Sequence, residues 1–204
     1  MADPIPVQTA RMRASKLLYD YGLERDTRVP VEVLALERGM IVGEKDLRGS
    51  EGRLVRRGPH SYAAVRASLR PEKKRFVIAH EFGHHELHTE TPVKVCDEAA
   101  FVVWNQTRPQ EWEANTFAAE LLMPKASFRE AMVAAPCGFD SVVTLARAHH
   151  VSLSAAVLRY VMLDVYPCAV VFATMGQVSW SRMSQRMPWR QLRRGTLDAR
   201  TGCA

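Results

Sequence analysis

Residues 72–88 read EKKRFVIAHEFGHHELH, and this stretch decides how the rest of the chain is understood. Phe76, Val77, Ala79 and Phe82 recur at helical spacing after Pro71, which predicts a helix. His80 and His84 are four residues apart, so their imidazoles project from one face about one turn apart and can reach a single zinc ion. Glu81 stands beside them, where its carboxylate can take the proton of an attacking water and return it to a leaving amine. Gly83 costs a helix interior roughly 1 kcal/mol relative to alanine, which points to another segment approaching closely there.

A five-residue HExxH pattern recurs by accident in many chains, so a second motif is needed. Residues 110–124, QEWEANTFAAELLMP, supply it on a helix that Pro124 interrupts. Catalytic zinc takes three protein ligands plus water, and Glu111 is the third candidate. Asn115 follows on the same face, placed to orient a ligating histidine. The rival, Glu113, points about 200° around the helix from Glu111, so only one of the two can face the metal. His88 lies about 12 Å along the axis from His80, too far for one ion to bind all three histidines. It is expected to be structural or to support a ligand, and His85 points off the face.

Outward from this centre, Ala10, Ala14, Leu17, Leu18 and Tyr21 predict a first helix, and VPVEVLALERG (29–39) a second. The runs MIVGE (40–44), GRLVRR (52–57) and SYAAVRASL (61–69) predict a small antiparallel sheet, giving an α+β class. FDSVVTLARAHH (139–150) and SLSAAVLRYVML (152–163) are spaced as two helices around a tight turn. CAVVFAT (168–174) and VSWSRMS (178–184) read as a closing hairpin. The expected organisation is a core over 1–135, a helix-turn-helix-like bundle over 136–165, and a hairpin with a basic tail over 166–204.

The chain has 204 residues, 47% of them hydrophobic and 25% charged, an ordinary globular composition that excludes general disorder. No apolar signal segment opens it and no run is long enough to cross a bilayer, so a cytoplasmic protein without a membrane partner is expected. Cys96, Cys137, Cys168 and Cys203 form no CxxC pair and are read as reduced thiols. Much of the net charge of +6 comes from the end: residues 181–204 hold six arginines against Asp198 alone. There Arg182, Arg186, Arg190, Arg193 and Arg194 interleave with Trp180 and Trp189, a composition that suits single-stranded nucleic acid, with single-stranded DNA as a candidate activator. A solvated end is the plainer reading. In 142–161, Arg147, His149, His150 and Arg159 are candidates for phosphate contacts if the helix pair reads DNA, although a bundle bracing the core is preferred.

Cys96 falls between the two motifs. A thiolate there could take the open position on zinc, keep out the attacking water, and be released by oxidation. The alternative is a plain buried cysteine.

RFVIAHEFGHHELH (75–88) followed by EWEANTFAAELLMP (111–124) resembles the ImmA/IrrE (DUF955) zinc metallopeptidases, over roughly Ala10 to Leu163. The flanking VPVEVLALERGMIV (29–42) and LARAHHVSLSAAVLRYV (145–161) share in the resemblance. It implies a zincin-like minimal gluzincin fold, zinc at His80, His84 and Glu111, and Glu81 as general base. It also implies a substrate: a helix-turn-helix repressor whose cleavage derepresses stress, phage or anti-phage defence genes. Zincins pair substrate on an edge strand, expected here over 61–69 with Tyr62, Ala64 and Arg66. The contrary reading is a DNA-binding regulator, or a pseudo-enzyme, with a non-catalytic zinc site. Glu81 argues against it, because a structural site has no use for a free carboxylate.

Overall fold

The structure, a computed structural model, describes residues 5–102, 107–175 and 177–188. Its first helix, α1 (Ile5–Asp20), buries Val7, Ala10, Ala14, Leu17 and Leu18. A short helix, α2 (Val31–Glu37), leads into β1 (Met40–Lys45), and β2 (Gly52–Arg57) turns back into β3 (His60–Arg66). The long helix α3 (Pro71–Leu87) follows, with Pro71 at its start, where the missing N–H costs nothing. Then come β4 (Val93–Cys96), a 3-10 turn (Glu98–Val102) and α4 (Pro109–Leu122).

The four strands are ordered β1-β3-β2-β4. β2 is antiparallel to both neighbours, but β1 runs parallel to β3, so the sheet is mixed and not wholly antiparallel as expected. Only β2 and β3 form a hairpin; β1 joins on the far side of β3, and β4 on the far side of β2. The same order corrects the substrate edge. β3 is bonded on both sides, so Tyr62, Ala64 and Arg66 offer no free backbone to a substrate strand. Tyr62 instead lies over Gly43 on β1, Ala64 is buried, and Arg66 donates to the Ser50 carbonyl. Within this four-stranded sheet the edges among the described strands are β1 and β4.

α3 and α4 pack against each other through Gly83. A Cβ there would stand 3.1 Å from Ala114 Cα and 3.2 Å from its carbonyl oxygen, so the two backbones touch. Gly83→Val is therefore expected to destabilise the fold by about 1–3 kcal/mol through overpacking, read as a lower urea midpoint. Metal affinity should fall with it, because these two helices carry three of the metal donors.

Three further helices, α5 (Lys125–Ala134), α6 (Phe139–Ala148) and α7 (Leu153–Met162), complete the helical part. Ser152 caps α7 by accepting the Ala155 N–H at 3.2 Å. α7 is tied to α4 by a buried pair: Arg159 donates to Glu120 and to the Met123 carbonyl, both at 2.7 Å. Arg159 and His149 are thus inside the protein, 4% and 0% exposed, and cannot meet phosphates. Arg147 and His150 remain at the surface. The hairpin is β5 (Ala169–Thr174) and β6 (Gln177–Met183), with an irregularity between Phe172 and Ala173. Arg182 and Arg186 are exposed, and the Arg186 backbone N–H donates to Asp164; Trp189, Arg190, Arg193 and Arg194 lie outside the described residues. None of the described helices is long and apolar enough to cross a membrane.

Candidate metal centre

The i, i+4 spacing on α3 stacks His80 and His84 on one face, and α4 lays Glu111 across them. His80 Nε2 is 3.0 Å from His84 Nε2 and 3.1 Å from Glu111 Oε2, and His84 Nε2 is 3.4 Å from the same oxygen. β4 adds a fourth donor: Cys96 Sγ lies 3.9 Å from Glu111 Oε2. The four ligand atoms are all within 4.8 Å of one another, and all four residues are buried. Bonds of about 2.0–2.3 Å in a tetrahedral zinc site hold donors at this kind of spacing.

The outer nitrogens fix the tautomers. His80 Nδ1 lies 2.9 Å from Asn115 Oδ1, and Asn115 Nδ2 donates to the Ala100 carbonyl, also at 2.9 Å, so the amide is oriented to accept from the ring. His84 Nδ1 lies 2.8 Å from His88 Nδ1, and His88 Nε2 lies 3.0 Å from Glu113 Oε2. Protons therefore run from His88 to Glu113, from His84 to His88, and from His80 to Asn115. Both Nε2 atoms are left with lone pairs that face each other and a carboxylate oxygen, an arrangement that repels unless a cation lies between. The donor set fits zinc on that ground.

The remaining groups tune this cluster. Burial pushes the His84 pKa down to about 3, and lowers that of His80 as well. Burial opposes the charge on Glu111, but Lys94 beside it favours the carboxylate, and the carboxyl is held well below its usual range. Lys94 Nζ is 2.9 Å from Glu111 Oε1, which pins the carboxylate by its second oxygen. Lys94 and Cys96 alternate with Val93 and Val95 along β4, so one face of this edge strand serves the cluster while both valines are exposed. Burial also pushes the Cys96 thiol up.

Glu81 is completely buried; no N–H or O–H donor reaches its oxygens, and the weakly donating Cys96 thiol beside it favours its charge only in part. Burial pushes its pKa up to about 8, a range in which a carboxyl can both take and return a proton near neutral pH. Its neighbour is Gly52 on β2: a Cβ there would collide with Glu81 Oε1 and stand 2.9 Å from Val77 Cγ1. Gly52→Ala is therefore expected to push the carboxylate aside and lower kcat/KM on a cleaved peptide by up to about a hundredfold, the scale of a 1 Å misplacement. Zinc content, measured on the same preparation, should not change.

His80, Glu81, His84, Glu111, Asn115 and Cys96 are all candidates on sequence grounds, and the structure gathers all six. Lys94 and Gly52 are additions, while His88, expected to be structural or to support a ligand, stands behind His84. Glu113 is a partner of a histidine and not a rival ligand, and the stripe His80, His84, His88 is the signal that could have pointed to it. His85 turns away, its ring nitrogens engaging Ser61 Oγ at 2.7 Å and the Arg38 carbonyl at 2.9 Å.

The sequence model of the IrrE N-terminal-like domain, Peptidase_M78, matches residues 35–160, well over half of the chain. No curated protein matches the sequence. Among solved structures, a Mycobacterium tuberculosis transcriptional regulator is similar in fold, with a TM-score of 0.58 at 18% identity. The match covers 88% of this chain and 60% of that protein, so the chain corresponds to part of the regulator's length.

Proposed function

The chain belongs to the Peptidase_M78 family of metallopeptidases, and from that premise we propose that it is a zinc endopeptidase which cuts one or a few sites in a specific partner protein. The observation that carries this reading is Glu81, a buried carboxylate without a hydrogen-bond partner held beside converging metal donors. Even a neutral carboxyl buried without its full set of partners costs about 1–3 kcal/mol, and a site built only to hold metal gains nothing from it.

His80, His84 and Glu111 would hold the ion in the manner of a gluzincin. Zinc bound there would supply Lewis acidity toward a water and toward the scissile carbonyl. Glu81 takes the proton of the attacking water at its carboxylate and delivers it to the nitrogen of the departing amine. Asn115 and the His88–Glu113 pair keep the imidazoles aimed, and Lys94 keeps Glu111 from swinging away. The free edge of β4 ends at Cys96, beside the cluster, and takes over the strand-pairing role expected of β3.

Cys96 is the fourth donor in this proposal and holds the site closed. Its release is oxidative: hydrogen peroxide transfers one oxygen to the sulfur and leaves as water, so the thiol becomes a sulfenic acid and a weaker ligand. Cys96→Ser is expected to raise basal cleavage several-fold and to remove the response to hydrogen peroxide, as followed on a quenched fluorescent peptide. Equal basal rates and equal peroxide responses would sink this part.

The substrate is proposed to be a helix-turn-helix repressor, whose cleavage derepresses stress, phage or defence genes. The similar solved structure is of a transcriptional regulator, which supports such a setting. The test is co-expression of wild-type or Glu81→Gln protein with the helix-turn-helix protein encoded beside it, with and without single-stranded DNA. Truncation by the wild type alone is expected; an intact partner under every condition overturns the reading.

A further inference from the structure

The stripe of α3 that carries His84 and His80 continues toward the helix start through Phe76 and Lys73, at three- and four-residue spacing. There it borders a cavity of about 570 Å³. Phe76 and Phe101 form the wall nearest the metal donors, Leu158 of α7 adds a second side, and Phe172 and Trp180 of the hairpin a third. Phe101 belongs to both places: its ring is 4.6 Å from that of His80 and meets Phe76 edge-on at 6.3 Å. Phe172 and Trp180 lie parallel, 5.4 Å apart at 8°, and present a flat apolar surface. Lys73 sits with its ammonium 4.6 Å above the Phe101 ring.

Distance links this cavity to the reaction. Phe76 stands about 6 Å from His80 along the helix axis, and one residue of an extended peptide spans about 3.3 Å. Two residues of an extended substrate whose scissile carbonyl lies at His80 and Glu81 would span that separation. We propose that the cavity is the specificity pocket of the peptidase, and that it takes one bulky apolar side chain, aromatic or leucine-like, next to the cleaved bond; this rests on the peptidase reading. The lining also carries Glu72, Lys73 and Arg182, but four aromatic rings and Leu158 accept such a side chain and give little hold to alanine or glycine.

Two measurements on the full chain keep the pocket and the peptidase apart. In the first, zinc-loaded protein digests a library of blocked peptides, and mass spectrometry reads the residues flanking each cut. Phenylalanine, tryptophan or leucine is expected at one fixed flanking position, on the order of a hundredfold over alanine. Ala155→Trp, which fills the cavity from α7, and Phe172→Ala, which removes the exposed hairpin wall, should each reduce that ratio at least tenfold. A ratio between peptides is unmoved by a general loss of folded protein. In the second, saturation-transfer NMR follows N-acetyl-phenylalaninamide and N-acetyl-alaninamide on the Glu81→Gln chain. Saturable binding of the aromatic amide is expected, weakened at least tenfold in either cavity variant. Cleavage without side-chain preference, or with a preference that both variants keep, overturns the pocket and leaves the peptidase standing. Binding of the aromatic amide without any cleavage overturns the peptidase reading and, with it, the cavity's part in specificity, leaving only an apolar binding site. Absence of both overturns the two together.

Discussion

Glu81→Gln is expected to lower proteolytic kcat/KM by about a thousandfold while the chain keeps its zinc. The amide matches the carboxylate in shape, so it fits the space beside Gly52 and Val77, but it cannot accept and return a proton, and general acid–base catalysis contributes roughly 10²–10⁴-fold. The candidate donors for the ion are His80, His84, Glu111 and Cys96, and none is touched. Stability should hold, because burial keeps the native Glu81 carboxyl largely protonated near neutral pH and the amide replaces one neutral group with another of the same shape. The measurement is kcat/KM on a quenched peptide, zinc by elemental analysis and Tm on the same preparation. A loss of activity below tenfold with zinc retained would remove Glu81 from the reaction. A parallel loss of zinc would show that its role is to shape the site.

Helical periodicity governs how much of this site is legible in the sequence. His80 and His84 are four residues apart on a helix, and Glu111 and Asn115 repeat that spacing on a second one, so spacing alone places each pair on one face. Gly83 hints at the meeting of the two helices, since its missing side chain lets Ala114 approach. Strand partners are not legible in the same way, because alternation shows which face a residue occupies and not which strand lies beside it. For that reason β3 reads as an edge although β1 and β2 flank it, and Lys94, two residues before Cys96 on the true edge strand, carries no signal of its own. Gly52 is hidden for a similar reason: its smallness answers to Glu81 across the core, a neighbour that no local pattern reveals. Arg159 and His149 show the converse. Basic residues in a helix-turn-helix-like stretch suit phosphates, but packing turns these two inward against Glu120 and Phe128.

Removing the metal should have the other large effect, and on stability as well as activity. His80 and His84 present Nε2 lone pairs 3.0 Å apart, with Glu111 Oε2 within 3.4 Å of both. A proton is a poor substitute for a cation there, since burial pushes the His84 pKa down to about 3. At neutral pH the stripped site therefore retains most of its internal repulsion. Zinc at a thousandfold above its Kd stabilises the native state by about 4 kcal/mol, and a domain of this size shifts by about 2–4 °C per kcal/mol. Chelation is then expected to lower Tm by on the order of 10 °C and to abolish cleavage, with both restored by stoichiometric zinc. Glu111→Ala should reproduce the loss without chelator, because it leaves two histidines and a thiol to hold the ion and takes away the partner that fixes Lys94. If Tm stays within 2 °C of the loaded value after elemental analysis shows the zinc gone, the cluster is held together by its hydrogen bonds alone, and its converging lone pairs do not need a cation between them.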